Sequence, residues 1–264
     1  MEKEYKKIIS FLKDYQTHTN ARGYVLGISG GKDSTIVAKL LVDAIGKENV
    51  LGVLMPDGEQ KDISDSLEVC KYLDIRHILI NISHPFTSLL SSIERTTLEK
   101  SIDVGIPNLV SDGSPIIISD KALTNIAPRI RMATLYAIAQ SLGYGVAGTG
   151  NKSEAFIGWC TKWGDMACDI NPIAHLTCTE VVKLGDFMEL PYNLVHKVPA
   201  DGLTGRSDEE NFGFTYQELD VLIEKMERLD RTGHLTSPFT EIELQILKLH
   251  EAAYHKDHVI KIHY

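Results

Sequence analysis

No apolar run in this chain approaches the ~20 residues that a membrane-spanning helix needs. The first residues, Met1-Glu2-Lys3-Glu4-Tyr5-Lys6-Lys7, lack the apolar stretch of a secretory signal and instead begin a helical pattern with Tyr5, Ile8, Ile9 and Leu12 on one face. Cysteine is scarce: Cys70, Cys160, Cys168 and Cys178 form no C-x-x-C pair, which argues for reduced thiols over a zinc site or a disulfide framework. Basic runs are missing as well. With 27 Lys and Arg against 36 Asp and Glu, the net charge of −9 argues against a broad nucleic-acid footprint, while leaving room for a local basic pocket. Together these absences predict a cytoplasmic chain with neither a membrane nor a nucleic acid as partner. The two common phosphate-binding fingerprints are also absent. The residue after Lys32 is Asp33, with no glycine at the upstream spacing of G-x-x-x-x-G-K-[ST]. Gly27, Gly30 and Gly31 likewise have the wrong intervals for G-x-G-x-x-G.

What is present is an ordinary globular composition, 43% hydrophobic and 24% charged over 264 residues. Strand-like runs at 24–29, 50–55, 77–82 and 144–148 alternate with helical patterns at 33–45, 63–73 and 120–142. This alternation predicts an α/β fold, a doubly wound and mostly parallel sheet flanked by helices. Ligands of such sheets bind beyond the carboxyl ends of the strands. Two further helical patterns cover 216–229 and 241–255. Residues 202–213 are polar and Gly-containing and read as a mobile loop able to close over a site. With no repeat and no convincing linker, 1–264 reads as a single domain.

The richest segment is Ser29-Gly30-Gly31-Lys32-Asp33-Ser34, between the first strand and the first amphipathic helix after it. A Gly-rich turn from strand into helix aims backbone N–H groups and the positive end of the helix dipole at one point, which suits a phosphate. Ser29 and Ser34 add hydroxyls, and Asp33 puts a carboxylate where a phosphate-bound cation would sit. The spacing S-G-G-x-D-S resembles the loop of the ATP-pyrophosphatase (adenine nucleotide α-hydrolase-like) superfamily, whose members transfer AMP to a substrate oxygen and release pyrophosphate. The bland alternative is a Ser/Gly turn with ordinary helix capping.

A second constellation follows the fourth strand: Gly148-Thr149-Gly150-Asn151-Lys152-Ser153-Glu154, then Thr161-Lys162-Trp163-Gly164-Asp165 and Asp169. Thr149 offers a hydroxyl, Glu154 a hard oxygen ligand and Lys162 a cation. Read blandly, Thr149 or Asn151 caps a helix with Glu154 in its first turn.

With Gly27-Ile28-Ser29-Gly30-Gly31-Lys32-Asp33-Ser34, Asn125-Ile126-Ala127-Pro128-Arg129-Ile130-Arg131-Met132, the two stretches just quoted and Tyr254-His255-Lys256, the chain resembles the NAD synthetase family over residues 24–256. The resemblance implies ATP-dependent amidation of deamido-NAD with ammonia through an adenylated intermediate, giving NAD, AMP and pyrophosphate, with Mg²⁺ required. It implies that 27–34 and Thr149 contact ATP, and that Asp33 and Glu154 ligate Mg²⁺. Arg129, Lys162, Asp169, His255 and Lys256 would contact deamido-NAD, the His-Lys pair reaching the dinucleotide of a neighbouring subunit. A homodimer follows, with 120–142 at its interface. Without the resemblance, Arg129 and Arg131 would read as a solvated helix face and His255 as a fraying helix end.

The chain departs from the family pattern at two ATP-contacting positions. Cys178 stands where a lysine is usual, and Ala200, after Pro199, where a Ser or Thr is usual. Losing one charged and one neutral hydrogen bond would weaken ATP binding by about 2–4 kcal/mol unless Lys183, Lys197 or Arg206 compensates. Cys160, Cys168 and Cys178 read as small buried hydrophobes before nucleophiles, and the chemistry requires no protein nucleophile. No glutaminase domain fits in the chain, so free ammonia or a separate ammonia donor is expected. The rival readings are another ATP-pyrophosphatase amidase and a non-catalytic dinucleotide-binding regulator. AMP formation separates the last of these from the enzymes.

Overall fold

The computed structural model describes residues 1–59, 63–94, 117–197, 207–235 and 237–257. The strands are β1 (Tyr24–Gly27), β2 (Val50–Leu54), β3 (Arg76–Leu79) and β4 (Gly145–Val146), hydrogen-bonded in the order β3-β2-β1-β4. Every pairing is parallel, with Tyr24 opposite both Val50 and Gly145. An isolated parallel bridge between Ala147 and Ile170 extends the sheet past β4. The helices are α1 (Glu2–Thr19), α2 (Lys32–Ile45), α3 (Ile63–Tyr72), α4 (Ser83–Glu94), α5 (Asp120–Leu142), α6 (Lys152–Ile157), α7 (Cys178–Phe187), α8 (Tyr192–Val195), α9 (Asp208–Phe212), α10 (Tyr216–Thr232) and α11 (Glu241–Asp257).

Side chains alternate across a strand, so a sheet covered on both faces sorts its residues into two cores. Tyr24, Leu26, Val50 and Leu54 face a core shared with Leu12 of α1, Ile36, Val37, Leu40 and Leu41 of α2, and Val181 and Leu184 of α7. Val25, Leu51, Val53 and Val146 face the other, with Ala127 and Ala139 of α5. Helix α2 buries nine of its fourteen residues, as expected for a helix enclosed by a sheet, α1 and α7. Helix α5 starts at the Ser119 cap and ends on left-handed Gly143. A third cluster joins Ile157, Phe212, Phe214, Tyr216, Leu219, Leu222, Ile223 and Ile246, drawn from α6, α10, α11 and the α9 region.

The doubly wound sheet is as the sequence predicts, with shifted strand limits. Pairing of β1 stops at Gly27, although the Ile28 N–H still reaches Val53 O at 3.0 Å. Strand β3 begins one residue early and ends at Leu79, while the N–H groups of Ile80 and Ile82 continue onto Leu54 O and Pro56 O at 2.8 Å each. Strand β4 is only two residues long.

Within the expected loop at 202–213, the second half carries a short helix. Ser207 caps α9 through a capping box with Glu210, and Phe212 is buried. The Phe212 ring packs edge-on to Trp159 at 4.7 Å and to Tyr216 at 5.7 Å. That aromatic anchor outweighs the polar, Gly-containing composition. Residues 202–206 lie outside the described residues, as do Pro199, Ala200 and Arg206. Among the described residues no helix is long and apolar enough to cross a membrane.

Candidate active site

The chain turns from β1 into α2 through Ile28-Ser29-Gly30-Gly31. Gly30 has a φ of +78°, and a Cβ there would lie 2.9 Å from Asp65 Cβ, so the turn requires glycine on both counts. Gly31 is the N-cap of α2, and its carbonyl accepts from the hydroxyls of Ser34 (3.1 Å) and Thr35 (2.9 Å). The Ser29 N–H donates to Ser34 Oγ at 3.3 Å, and the Gly31 N–H to Ser29 Oγ at 3.2 Å. The two serines thus brace the loop from within. By helix geometry the first turn of α2 leaves backbone N–H groups without intrahelical acceptors, which is the anion-binding feature expected here.

The loop after β4 lies beside it. The Asn151 side-chain amide donates to Asp33 Oδ1 at 3.1 Å, joining the two loops. Asn151 also caps α6: its Oδ1 accepts from the Glu154 N–H at 3.0 Å, while Glu154 Oε2 accepts from the Asn151 N–H at 2.9 Å. Glu154 thus completes a capping box, the bland reading, and stands in the field of Asp33. Burial first, then the Asp33 charge, raises the Glu154 carboxyl from its ordinary 4.5 to about 8, while Lys32 and the Asn151 N–H act the other way. Thr149 is half-buried in the same loop. Two carboxylates on neighbouring loops, completed by phosphate oxygens and water, fit a Mg²⁺ ion, which rarely takes an all-protein cage. Among the described residues no group of three or more His, Cys, Asp or Glu competes as a metal site.

Lys32, the x of S-G-G-x-D-S, is only 4% exposed. Its ammonium donates to Asp33 Oδ2 at 3.0 Å and lies 5.4 Å from the centre of the Tyr216 ring. Burial opposes its charge, but Asp33, with Cys178 and Glu154, outweighs burial and holds its pKa above the ordinary lysine range. Cys178 is the first helical residue of α7, behind the Thr177 cap, and is buried. Burial pushes its thiol up to about 12 despite the neighbouring Lys32 charge, so at neutral pH it is an uncharged thiol and a poor nucleophile.

The start of α7 is held from α10. The Thr179 N–H donates to Asp220 Oδ2 at 2.8 Å, Ser153 donates to Asp220 Oδ1, and the Cys178 N–H donates to Ser153 Oγ at 2.8 Å. Tyr216 Oη donates to Asp208 Oδ2 at 2.9 Å. Of these residues the sequence singled out Cys178 and held Ser153 within the second constellation, while Tyr216 and Asp220 carried no signal, because their roles depend on α10 folding back onto α6 and α7.

Four of the five residues expected at deamido-NAD meet in one cluster. Arg129 donates to Lys162 O through Nε (3.3 Å) and Nη2 (3.2 Å), and Lys162 Nζ donates to His255 O at 2.9 Å. Lys256 Nζ donates to Gly158 O at 2.6 Å and also to Cys160 O. The His-Lys pair is therefore anchored within its own chain and is no fraying end. Arg131 is no solvated residue either, since its Nε donates to Met55 O at 3.0 Å just past β2. Asp169 stands apart at the level of Val146, accepting the Val146 N–H at 2.8 Å and the Tyr136 hydroxyl at 3.2 Å.

A family model described as NAD synthase matches residues 4–259. The chain is 37% identical over 221 residues to an NH(3)-dependent NAD(+) synthetase of Carboxydothermus hydrogenoformans, covering 83% of this chain and 84% of that one. It superposes on an NH3-dependent NAD synthetase of Campylobacter jejuni solved with a nitrate ion (TM-score 0.78, 27% identity, 100% and 99% coverage). It also superposes on an NMN synthetase of Francisella tularensis (TM-score 0.79, 29% identity, 100% and 97% coverage).

Proposed function

The chain belongs to the NAD synthase family, and from that premise we propose that it amidates deamido-NAD to NAD with ammonia and ATP, releasing AMP and pyrophosphate. The observation that carries the reading is the Asn151–Asp33 hydrogen bond, which sets the phosphate loop and the Glu154 helix start side by side. The pyridine carboxylate oxygen attacks the α-phosphorus of ATP. A carboxyl–phosphate bond forms, and the bond to the β-phosphate oxygen breaks, releasing pyrophosphate. Ammonia then attacks the activated carbonyl, loses a proton and expels AMP.

Each step calls for alignment and charge stabilisation more than for a protein nucleophile. Ser29, Ser34 and the N–H groups at the start of α2 hold the departing pyrophosphate, and Thr149 contacts the nucleotide. Asp33 and Glu154 are the residues that would hold Mg²⁺, which supplies charge neutralisation on the phosphates. Arg129, Lys162, His255 and Lys256 face the dinucleotide, and Asp169 is a further contact that the family resemblance implies. Ala200, which stands where the family usually has a hydroxyl contact to ATP, lies outside the described residues.

A homodimer is part of this reading. Exposed Ile78 and Leu142 line an open groove of about 870 Å³ between β3 and α5, an apolar face that a second copy would cover. We place the enzyme in the cytoplasm as one domain, supplied with free ammonia or by a separate donor. The test is turnover: protein given ATP, Mg²⁺, ammonium and deamido-NAD should form NAD, AMP and pyrophosphate in equal amounts. ADP plus phosphate would overturn the mechanism. The likeness to an NMN synthetase brings a second acceptor into the assay, the corresponding mononucleotide acid, and the higher kcat/KM of the two identifies the substrate.

A further inference from the structure

A lysine at the first helical position of a phosphate loop ordinarily extends into water, because burying its long cation costs rotamer entropy and solvation. Lys32 is enclosed instead, paired with Asp33, lying over the Tyr216 ring and within electrostatic reach of Glu154 and the buried Cys178. Two other candidate cations near α7 fail on placement, Lys183 being exposed on α7 and Lys197 paired with Asp65, while Arg206 lies outside the described residues. Position 178, where the resemblance leads one to expect a lysine, holds a small uncharged side chain, and the ammonium beside it arrives from the opposite wall.

We propose that Lys32 is the cation this chain supplies to the departing pyrophosphate, and that Cys178 is small and neutral in order to admit it. The positive charge has moved from α7 to the phosphate loop while keeping its place in the site. In the protein without nucleotide the same ammonium offsets Asp33 and Glu154, so the cation is already in position, beside the N–H groups of α2, when phosphates arrive. This inference rests on the ATP-dependent reading above.

The test compares full-length wild type, Lys32→Met, Cys178→Lys and the double variant. Binding of magnesium pyrophosphate is followed by calorimetry, and turnover is measured with ATP or deamido-NAD varied. Lys32→Met keeps the aliphatic stem and removes the charge. Its affinity for magnesium pyrophosphate and its kcat/KM for ATP are expected to fall about ten- to hundredfold, the loss of one charge-assisted hydrogen bond. Its KM for deamido-NAD should stay within about twofold, a split that general loosening of the fold would not produce. The double variant should regain about tenfold, since its ammonium now comes from α7. Cys178→Lys alone should melt at a lower temperature than wild type, because two ammonium groups share one pocket. Unchanged pyrophosphate affinity in a folded Lys32→Met, or a double variant no better than Lys32→Met, overturns the proposal. If Lys32→Met fails to fold, the single Cys178→Lys decides: a melting temperature at or above wild type overturns it. Wild type that binds magnesium pyrophosphate but forms no NAD would overturn the NAD-synthesis reading, and the binding arm would still judge Lys32.

Discussion

Replacing Asp220 by alanine should unsettle the site from behind. Asp220 is 8% exposed, and its two carboxylate oxygens take the Ser153 hydroxyl and the Thr179 N–H, with the Cys178 N–H held next in line by Ser153. Truncation leaves two donors in a space with little access to water. An unsatisfied buried donor costs about 1–3 kcal/mol, so the pair amounts to about 2–6 kcal/mol. At about 2–4 °C per kcal/mol for a domain of this size, the melting temperature should fall by about 4–24 °C. Asp220→Asn keeps one acceptor but turns an amide donor toward a donor, so it should lose roughly half as much. Circular dichroism melts of the three proteins measure the loss, and the KM for ATP measures whether the start of α7 has moved. A fall below about 2 °C in Asp220→Ala would refute the reasoning, since it would mean that those donors find other partners at no cost. A large fall with an unchanged KM for ATP would refute the link from Asp220 to the nucleotide side.

Asp33→Asn should keep the fold, as judged by circular dichroism, and lose at least about a hundredfold in kcat, because the charge facing the metal and phosphates is removed. Wild-type activity in that variant would take Asp33 out of the site. Glu154 predicts a pH dependence. Its carboxyl titrates higher in the folded chain (about 8) than the ordinary 4.5, so its contribution is present below about 4.5 and is lost as the pH rises through 8. Melting temperatures of the metal-free protein should therefore decline between these values, and less steeply in Glu154→Gln. Equal slopes would contradict the raised value. Iodoacetamide at pH 8 should leave Cys178 unmodified in the native protein, its thiol being buried and titrating near 12. Peptide mass spectrometry showing modification at the rate of a free thiol would contradict this.

The sheet was legible because its signals are local. Tyr24 to Ile28 is an apolar run, and the residues after Asp33 repeat at helical spacing, so the strand, turn and helix that hold the phosphate loop follow from about twenty consecutive residues. What stayed hidden depends on contacts distant in sequence. Nothing local to Lys32 signals that the Tyr216 ring and the Cys178 region enclose it, and nothing local to Asp220 signals that it meets the start of α7. The Ala147–Ile170 bridge was invisible because a single residue pair carries no periodicity. Helix α9 was hidden by its composition: five residues of mostly acidic sequence are held in place by one phenylalanine and a serine cap.

The capping box at Asn151 and Glu154 has a consequence for how the enzyme can be watched. One oxygen of Glu154 receives the Asn151 N–H at the start of the α6 segment, and the same carboxyl group is the one proposed above to ligate a cation. Filling the cation site and stiffening the beginning of that six-residue helix are then a single linked equilibrium. Amide exchange at residues 151–155 becomes a ligand gauge that needs no substrate, no turnover and no label. Its midpoint in a titration of Mg²⁺ with pyrophosphate reports occupancy directly from the backbone.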